Sequence, residues 1–285
     1  MDHRIRFAEY LFIGEMGPTQ GFIGKGAWKY RMSTDAKSGT RGSYWRATHY
    51  YRRLEKHVIT TRRTKAARIA QVLSEAVDLN TSRILDLGCS VGLITESLSR
   101  AASEVVGIDV DVDALYLAKK TACTFVAADT LRLPFQNGIF DAVVCNQVLE
   151  YVPDKRLAIS EIRRVLRKNG VCYLAATNRA NPIDPHHGLP FLSWLPRSVA
   201  HRYLRLTGRG NYYNESPMDY FQMKNLMAGF RMKDYTILAL KNPSRYGITY
   251  EVGRLTSKVL NALPSRLLRM LLFLSPGWLI VLQKI

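Results

Sequence analysis

Arg83-Ile84-Leu85-Asp86-Leu87-Gly88-Cys89-Ser90-Val91-Gly92-Leu93-Ile94 decides the fold of this 285-residue chain. A short apolar run of the kind that forms a buried strand ends in an acid and two glycines four apart, and helical spacing then runs from Val91 to Leu98. Glycine admits backbone conformations closed to other residues and lets a ligand approach the main chain. The helix behind it presents unpaired N–H groups. The stretch predicts a nucleotide-like ligand at the carboxyl end of the first strand of a parallel sheet.

Outward from this turn the alternation repeats. Strands are expected at Arg83–Leu87, Glu104–Ile108, Thr124–Ala127, Phe140–Cys145 and Val171–Thr177, with helices at about Val91–Ala101, Val112–Lys120 and Asp154–Lys168. Asn169-Gly170 reads as a left-handed helix stop before the fifth strand. Strands spaced by helices predict βαβ units with right-handed crossovers. Over residues 178–217 prolines break all regularity, which predicts an insertion over the edge of the sheet. A helix at Pro217–Phe230, a strand at Asp234–Leu240, a basic leucine-rich segment at Thr256–Leu274 and a last strand at Trp278–Leu282 complete the pattern.

Upstream, residues 1–45 read as a loop-rich arm with interleaved aromatics. Arg46–Val77 reads as a helix with Ile59, Ala66, Ile69, Ala70 and Leu73 on one face and Arg62, Arg63, Lys65 and Arg68 on the other. The expected division is an N-terminal arm and lid helix over residues 1–80 and an α/β domain over residues 81–285, with insertions at about 178–217 and 242–277.

Hydrophobic residues make up 47% of the chain and charged ones 22%, a globular balance. No apolar run reaches the roughly 18–20 residues of a membrane span, and the N-terminal residues lack a secretory pattern, so a cytoplasmic protein is expected. Cys89, Cys123, Cys145 and Cys172 stand singly, without the spacing of a zinc site, and read as buried small residues. The net charge of +18 is unevenly spread. Residues 1–80 carry 15 Lys and Arg against 7 Asp and Glu, residues 81–154 carry 5 against 10, and residues 155–285 carry 21 against 6. An acidic centre suits a partly cationic cofactor. The basic flanks suit an anionic partner or simply a solvated surface.

Four further stretches carry a resemblance. Val105-Val106-Gly107-Ile108-Asp109-Val110-Asp111, Ala127-Ala128-Asp129-Thr130-Leu131-Arg132-Leu133-Pro134-Phe135, Phe140-Asp141-Ala142-Val143-Val144-Cys145-Asn146-Gln147-Val148-Leu149-Glu150-Tyr151-Val152 and Glu161–Gly170 follow the opening turn in order. Together these resemble the motif series of class I S-adenosylmethionine-dependent methyltransferases, of the small-molecule, type 11-like kind. The resemblance implies a Rossmann-like sheet of seven mostly parallel strands in the order 3-2-1-4-5-7-6, S-adenosyl-L-methionine as cofactor and no metal. It also implies cofactor contacts from Asp86, Gly88, Ser90, Gly92, Asp109, Val110, Asp129, Thr130, Asn146 and Gln147. Asp109 lies 23 positions after Asp86, near the roughly 20-residue offset at which an acid meets ribose hydroxyls. Asp129 is expected near the adenine and Asp86 near the amino-acid end of the cofactor. Ser90 replaces a glycine common in the family. Asp111 reads as a helix cap and Asp141 as a structural acid.

The family chemistry is in-line attack by an O, N or C nucleophile on the sulfonium methyl. For a hydroxyl nucleophile a base near neutral pKa helps, and His186, with His187 beside it, is the candidate, although either serves equally as a turn residue. Tyr151 stands where relatives have histidine. Cys145-Asn146-Gln147-Val148 lacks the prolines and aromatic residue of an amide or adenine N-methyltransferase motif. The expected acceptor is a small or lipid-linked, anionic molecule, with a peripheral membrane contact through residues 255–274. RNA or protein methylation is the alternative, on the strength of Tyr44-Trp45-Arg46 and Tyr50-Tyr51-Arg52-Arg53. Cofactor binding without catalysis is a third reading.

Overall fold

The computed structural model describes residues 12–13, 56–118, 123–248, 260, 262–270 and 272–285. Among the described residues eight strands form one sheet: β1 (Phe12–Ile13), β2 (Arg83–Leu87), β3 (Glu104–Asp109), β4 (Thr124–Ala127), β5 (Phe140–Asn146), β6 (Leu166–Thr177), β7 (Phe230–Asp234) and β8 (Gly277–Lys284). Their order is β1-β4-β3-β2-β5-β6-β8-β7. Counted from β2, the last seven follow 3-2-1-4-5-7-6, the expected Rossmann-like arrangement. The two-residue β1, in the arm read as loop, adds an antiparallel edge to β4. Strands β4, β3, β2, β5 and β6 run parallel, and β8 is antiparallel to both β6 and β7.

Period-2 alternation along the strands supplies two separate cores. Leu85, Leu87, Val106, Ile108, Val143 and Cys145 face one side, where helix α4 (Lys155–Val165) packs through Ala158, Ile159 and Ile162. Ile84, Val105, Ala142, Val144, Tyr173 and Val281 face the other. There α1 (Lys56–Ser74) contributes Ala66, Ile69, Val72 and Leu73, and α2 (Leu93–Ser99) contributes Ile94 and Leu98. The apolar stripe read in the sequence thus faces the sheet, and Arg68 of its polar face is itself buried, reaching the carbonyl of Gly247. The remaining helices are α3 (Val112–Ala118), α5 (Arg197–Leu206), α6 (Tyr220–Leu226), α7 (Thr236–Lys241) and α8 (Ser265–Met270).

Three expectations are corrected. Residues Asp234–Leu240 are not a strand: pairing with β8 runs over Phe230–Asp234, and the chain then turns into α7. Asp234 accepts the Thr236 amide at 2.7 Å and Thr236 Oγ1 accepts the Leu279 amide, which closes the strand and opens a helix over leucine- and alanine-rich residues that favour one. The preceding helix is shorter than expected because Asp219 caps it with a capping box and Gly229, at φ +95°, ends it. Asn169, at φ +62°, stops no helix. It lies inside β6, where the β5–β6 register shifts between Phe140 and Ala142, while α4 has already ended at Val165. The expected arm, with Tyr44-Trp45-Arg46 and Tyr50-Tyr51-Arg52-Arg53, and residues 255–259 of the leucine-rich segment lie outside the described residues.

Candidate functional site

Strand register lines up the carboxyl ends of β5, β2, β3 and β4. Leu87 pairs with Ile108 and Cys145, and Asp109 pairs with Ala127, so Asn146, Gly88, Asp109 and Ala127 form one row along the edge. The turn after β2 doubles back through three residues of left-handed backbone: Gly88 at φ +64°, Ser90 at +52° and Gly92 at +75°. Glycine is required at two of them for packing as well as conformation. A Cβ on Gly92 would stand 2.6 Å from Phe125 Cζ, and one on Gly88 would stand 2.8 Å from Val148 Cγ2. Ser90 carries its side chain in the same region, a conformation unusual for a non-glycine residue.

Asp109 locks the turn. Its Oδ2 accepts the Ser90 amide at 2.8 Å and its Oδ1 accepts the Asp111 amide at 2.8 Å, and the Cys89 amide donates to the Ile108 carbonyl. Burial raises the Asp109 carboxyl above its ordinary range, and these two amides pull it back. Asp86 is buried beneath the turn and accepts the Thr95 hydroxyl at 2.7 Å. Burial pushes its pKa up to about 7, against the lowering effects of Thr95 and the Arg62 guanidinium.

A pocket opens over this turn, walled by Asp86 to Val91, Leu93, Ile94, Asn146 and Arg62 of α1. Ser90 Oγ and Asn146 Nδ2 are buried there without a hydrogen-bond partner, a polar demand that a ligand satisfies. Of the sequence candidates, Asp86, Gly88, Ser90 and Asn146 wall the pocket. Gly92 supports it from behind, and Asp109 reaches it through Ser90. Val110 is exposed beside Asp109. Asp129 accepts the Leu131 amide in the turn after β4, with Thr130 buried next to it, both outside the pocket walls. Gln147, at φ +58°, accepts a hydrogen bond from Thr177 Oγ1 at 2.9 Å and so leans toward β6. Asp111 caps α3 through the Ala114 amide, and Asp141, buried, accepts the Arg83 amide and pairs with Arg167.

The histidine pair belongs to a second constellation. Buried Asp184 accepts the amides of His186 and His187 at 3.0 and 2.8 Å on Oδ1 and the Tyr213 hydroxyl at 3.1 Å on Oδ2. Gly188, at φ +63°, completes the turn, and Arg209 donates to the carbonyls of His187 and Gly188. His186 Nδ1 lies 3.3 Å from the Tyr151 hydroxyl, which itself donates to Glu215 Oε1 at 3.2 Å. With the Tyr151 proton committed to Glu215, the network assigns the His186 proton to Nδ1 and leaves Nε2 as the basic nitrogen. Packing around His186 holds its pKa below the usual value. His187 Nε2 is 3.4 Å from Glu215 Oε1, and that carboxylate raises the His187 pKa while buried Glu215 is itself lowered.

Two links join this cluster to the pocket. Tyr151 lies five residues beyond Asn146 on the loop leaving β5. On α1, Arg62 walls the pocket and Lys65, one turn later, acts electrostatically on His186. Sequence reading put Arg62 on a generic basic face and overlooked Thr95, Asp184, Tyr213 and Glu215. The one signal for Glu215 and Asp184 was their rarity as acids in a strongly basic flank. Cys89, Cys145 and Cys172 are buried with raised pKa values, inert as nucleophiles. Among the described residues no group of three or more His, Cys, Asp and Glu is placed to hold a metal ion.

Residues 85–174 match the family model described as a methyltransferase domain. A ubiquinone biosynthesis O-methyltransferase of Psychrobacter cryohalolentis is 34% identical over 140 residues, 46% of this chain and 51% of that protein. One from Erwinia tasmaniensis is 26% identical over 195 residues, 65% of this chain and 76% of that protein. The match thus spans about half the length of the first of these relatives. Among solved structures, the plantazolicin methyltransferase BpumL in complex with SAH superposes with a TM-score of 0.54 at 16% identity, over 83% of this chain and 88% of that one. That likeness concerns the fold.

Proposed function

From the premise that this chain carries a class I methyltransferase domain, we propose that it is an S-adenosyl-L-methionine-dependent methyltransferase acting on an O or N nucleophile of a small-molecule or lipid-linked acceptor. The observation that carries the reading is the pocket over the Gly88–Gly92 turn, where Ser90 Oγ and Asn146 Nδ2 are buried and unsatisfied. These atoms fit a ligand rich in donors and acceptors. Asp86 is the group for the cofactor's ammonium, Asp109 for its ribose and Asp129 with Thr130 for its adenine. When bound, the cofactor supplies an electrophilic sulfonium methyl. The chain's own part is to orient the acceptor and take its proton, and orientation alone is worth up to about 7–11 kcal/mol in favourable cases.

The relatives are named as O-methyltransferases, which favours a hydroxyl acceptor. A hydroxyl needs a base, and His186 Nε2 is the group available: neutral near pH 7, tautomer fixed through Tyr151 and Glu215, exposed at the surface of the insertion. Glu215 holds Tyr151 and His187 in place. Arg62, Lys65 and the basic flanks support an acceptor that carries negative charge. The test is incubation with methyl-labelled cofactor and fractionated extract. Label in a hydroxylated small molecule or lipid supports the reading, and label confined to RNA or protein, or none at all, overturns it.

A further inference from the structure

The insertion carries a surface that methyl transfer leaves unused. Within residues 178–217 charge is sorted by sign. Both carboxylates, Asp184 and Glu215, are buried, whereas Arg179, Arg197, Arg202, Arg205 and Arg209 are all exposed. Ordinary solvated surfaces intersperse both signs. Here the exposed charge is cationic throughout.

Apolar groups are sorted as well. The insertion has its own small core of Leu189, Leu192, Ala200, Leu204 and Tyr213. Yet Ile183, Phe191, Trp194, Val199, Leu206 and Tyr212 remain between 47% and 77% exposed. On α5, Val199, Arg202 and Leu206 share one face, turned away from the buried Ala200 and Leu204. Phe191 stands at φ +55°, a costly backbone for a large aromatic, and its half-exposed ring packs on Trp194 with centroids 4.8 Å apart. Strain held at an exposed aromatic pair is a mark of a functional surface rather than of packing. At the base of the insertion Asn178 Nδ2 donates to the carbonyls of Phe273 and Ser275, beside the exposed Phe273 and Leu274.

We propose that this face of the insertion docks on an anionic membrane surface, with the arginines at the headgroups and Phe191, Trp194, Val199 and Leu206 entering the acyl boundary. Interleaved arginine, aromatic and aliphatic groups are what an interfacial element presents. A single-stranded nucleic acid would use the arginines and rings but has no use for exposed Val199, Leu206 and Ile183. Among the described residues no helix is long and apolar enough to cross a membrane. The proposal is independent of which acceptor is methylated.

Vesicle flotation of the full chain tests it, with phosphatidylcholine alone or mixed with phosphatidylglycerol. The protein floats with the mixed vesicles and not with the neutral ones. Arg202→Glu with Arg205→Glu lowers the bound fraction about tenfold or more, and Trp194→Ser with Leu206→Ser lowers it comparably. All four side chains are exposed, so urea unfolding midpoints stay at the parent value. Absence of flotation with anionic vesicles overturns the proposal, as does undiminished flotation of both double variants. It is equally overturned if these substitutions abolish binding of an RNA oligonucleotide while vesicle binding persists.

Discussion

Two carboxylates in this molecule do the same local job in different settings. Asp109 gathers the amides of Ser90 and Asp111, and Asp184 gathers those of His186 and His187. The first stands at a strand end, so sheet register fixes where its turn points. The second stands in an insertion with its own small core, tied to the sheet through Tyr151, Glu215 and Asn178. A site that register positions holds the part of a reaction common to a fold. One held by long-range side-chain contacts is free to vary with the acceptor.

This division predicts separable losses. His186→Ala should lower turnover by about 10²–10⁴-fold, the usual weight of a general base, with cofactor affinity within about twofold of the parent. Parallel kinetics and calorimetry check it, and an equal loss of both would merge the two regions into one. Below the His186 pKa, itself under the ordinary histidine value, turnover should fall as the imidazole takes a proton.

Stability separates the regions next. Gly92→Ala adds a Cβ 2.6 Å from Phe125 at φ +75° and should cost roughly 2–4 kcal/mol by urea denaturation, strain and overpacking together. Gly208→Ala, at φ +67° in the insertion with open space around it, should cost only about 1–2 kcal/mol. Equal costs would show that packing against Phe125 does not set the turn.

A smaller effect is expected from pH. Asp86, at about 7, is half protonated near neutrality, and a bound ammonium favours its ionised form. Cofactor affinity should therefore rise, by up to about tenfold per unit, as pH increases from about 6 to 7, and flatten above about 8. The fold responds in the opposite sense. Because the folded pKa exceeds the usual carboxyl value of 3.8, Asp86 ionisation costs stability as pH rises from about 4 to 7. Titration of Asp86→Asn should show neither dependence.

Legibility in the sequence followed the same line. Arg83–Leu87 and Thr124–Ala127 were readable to the residue because each is a short, largely apolar run that a glycine or an acid, Gly88 and Asp129, closes within two residues. So were the cap at Asp111 and the structural role of Asp141. Asp234–Leu240 misled because an apolar run carries no period that distinguishes a strand from a short helix, and the Asp234–Thr236 contact that decides it is tertiary in consequence. Tyr151, Asp184, Tyr213 and Glu215 meet across separations of up to 64 residues, so no spacing rule joins them. Arg62 looked like any residue of a basic face until α1 was packed on the sheet.

The Gly88–Gly92 turn, locked by Asp109, is proposed as an S-adenosylmethionine cradle. Calorimetric titration of the cofactor into the parent protein and into Asp109→Ala tests it most directly. Saturable one-site binding that weakens tenfold or more in the variant is expected, as loss of charge-assisted hydrogen bonds worth about 1.5–3 kcal/mol requires. Unchanged affinity in Asp109→Ala, or no binding by the parent, would contradict it.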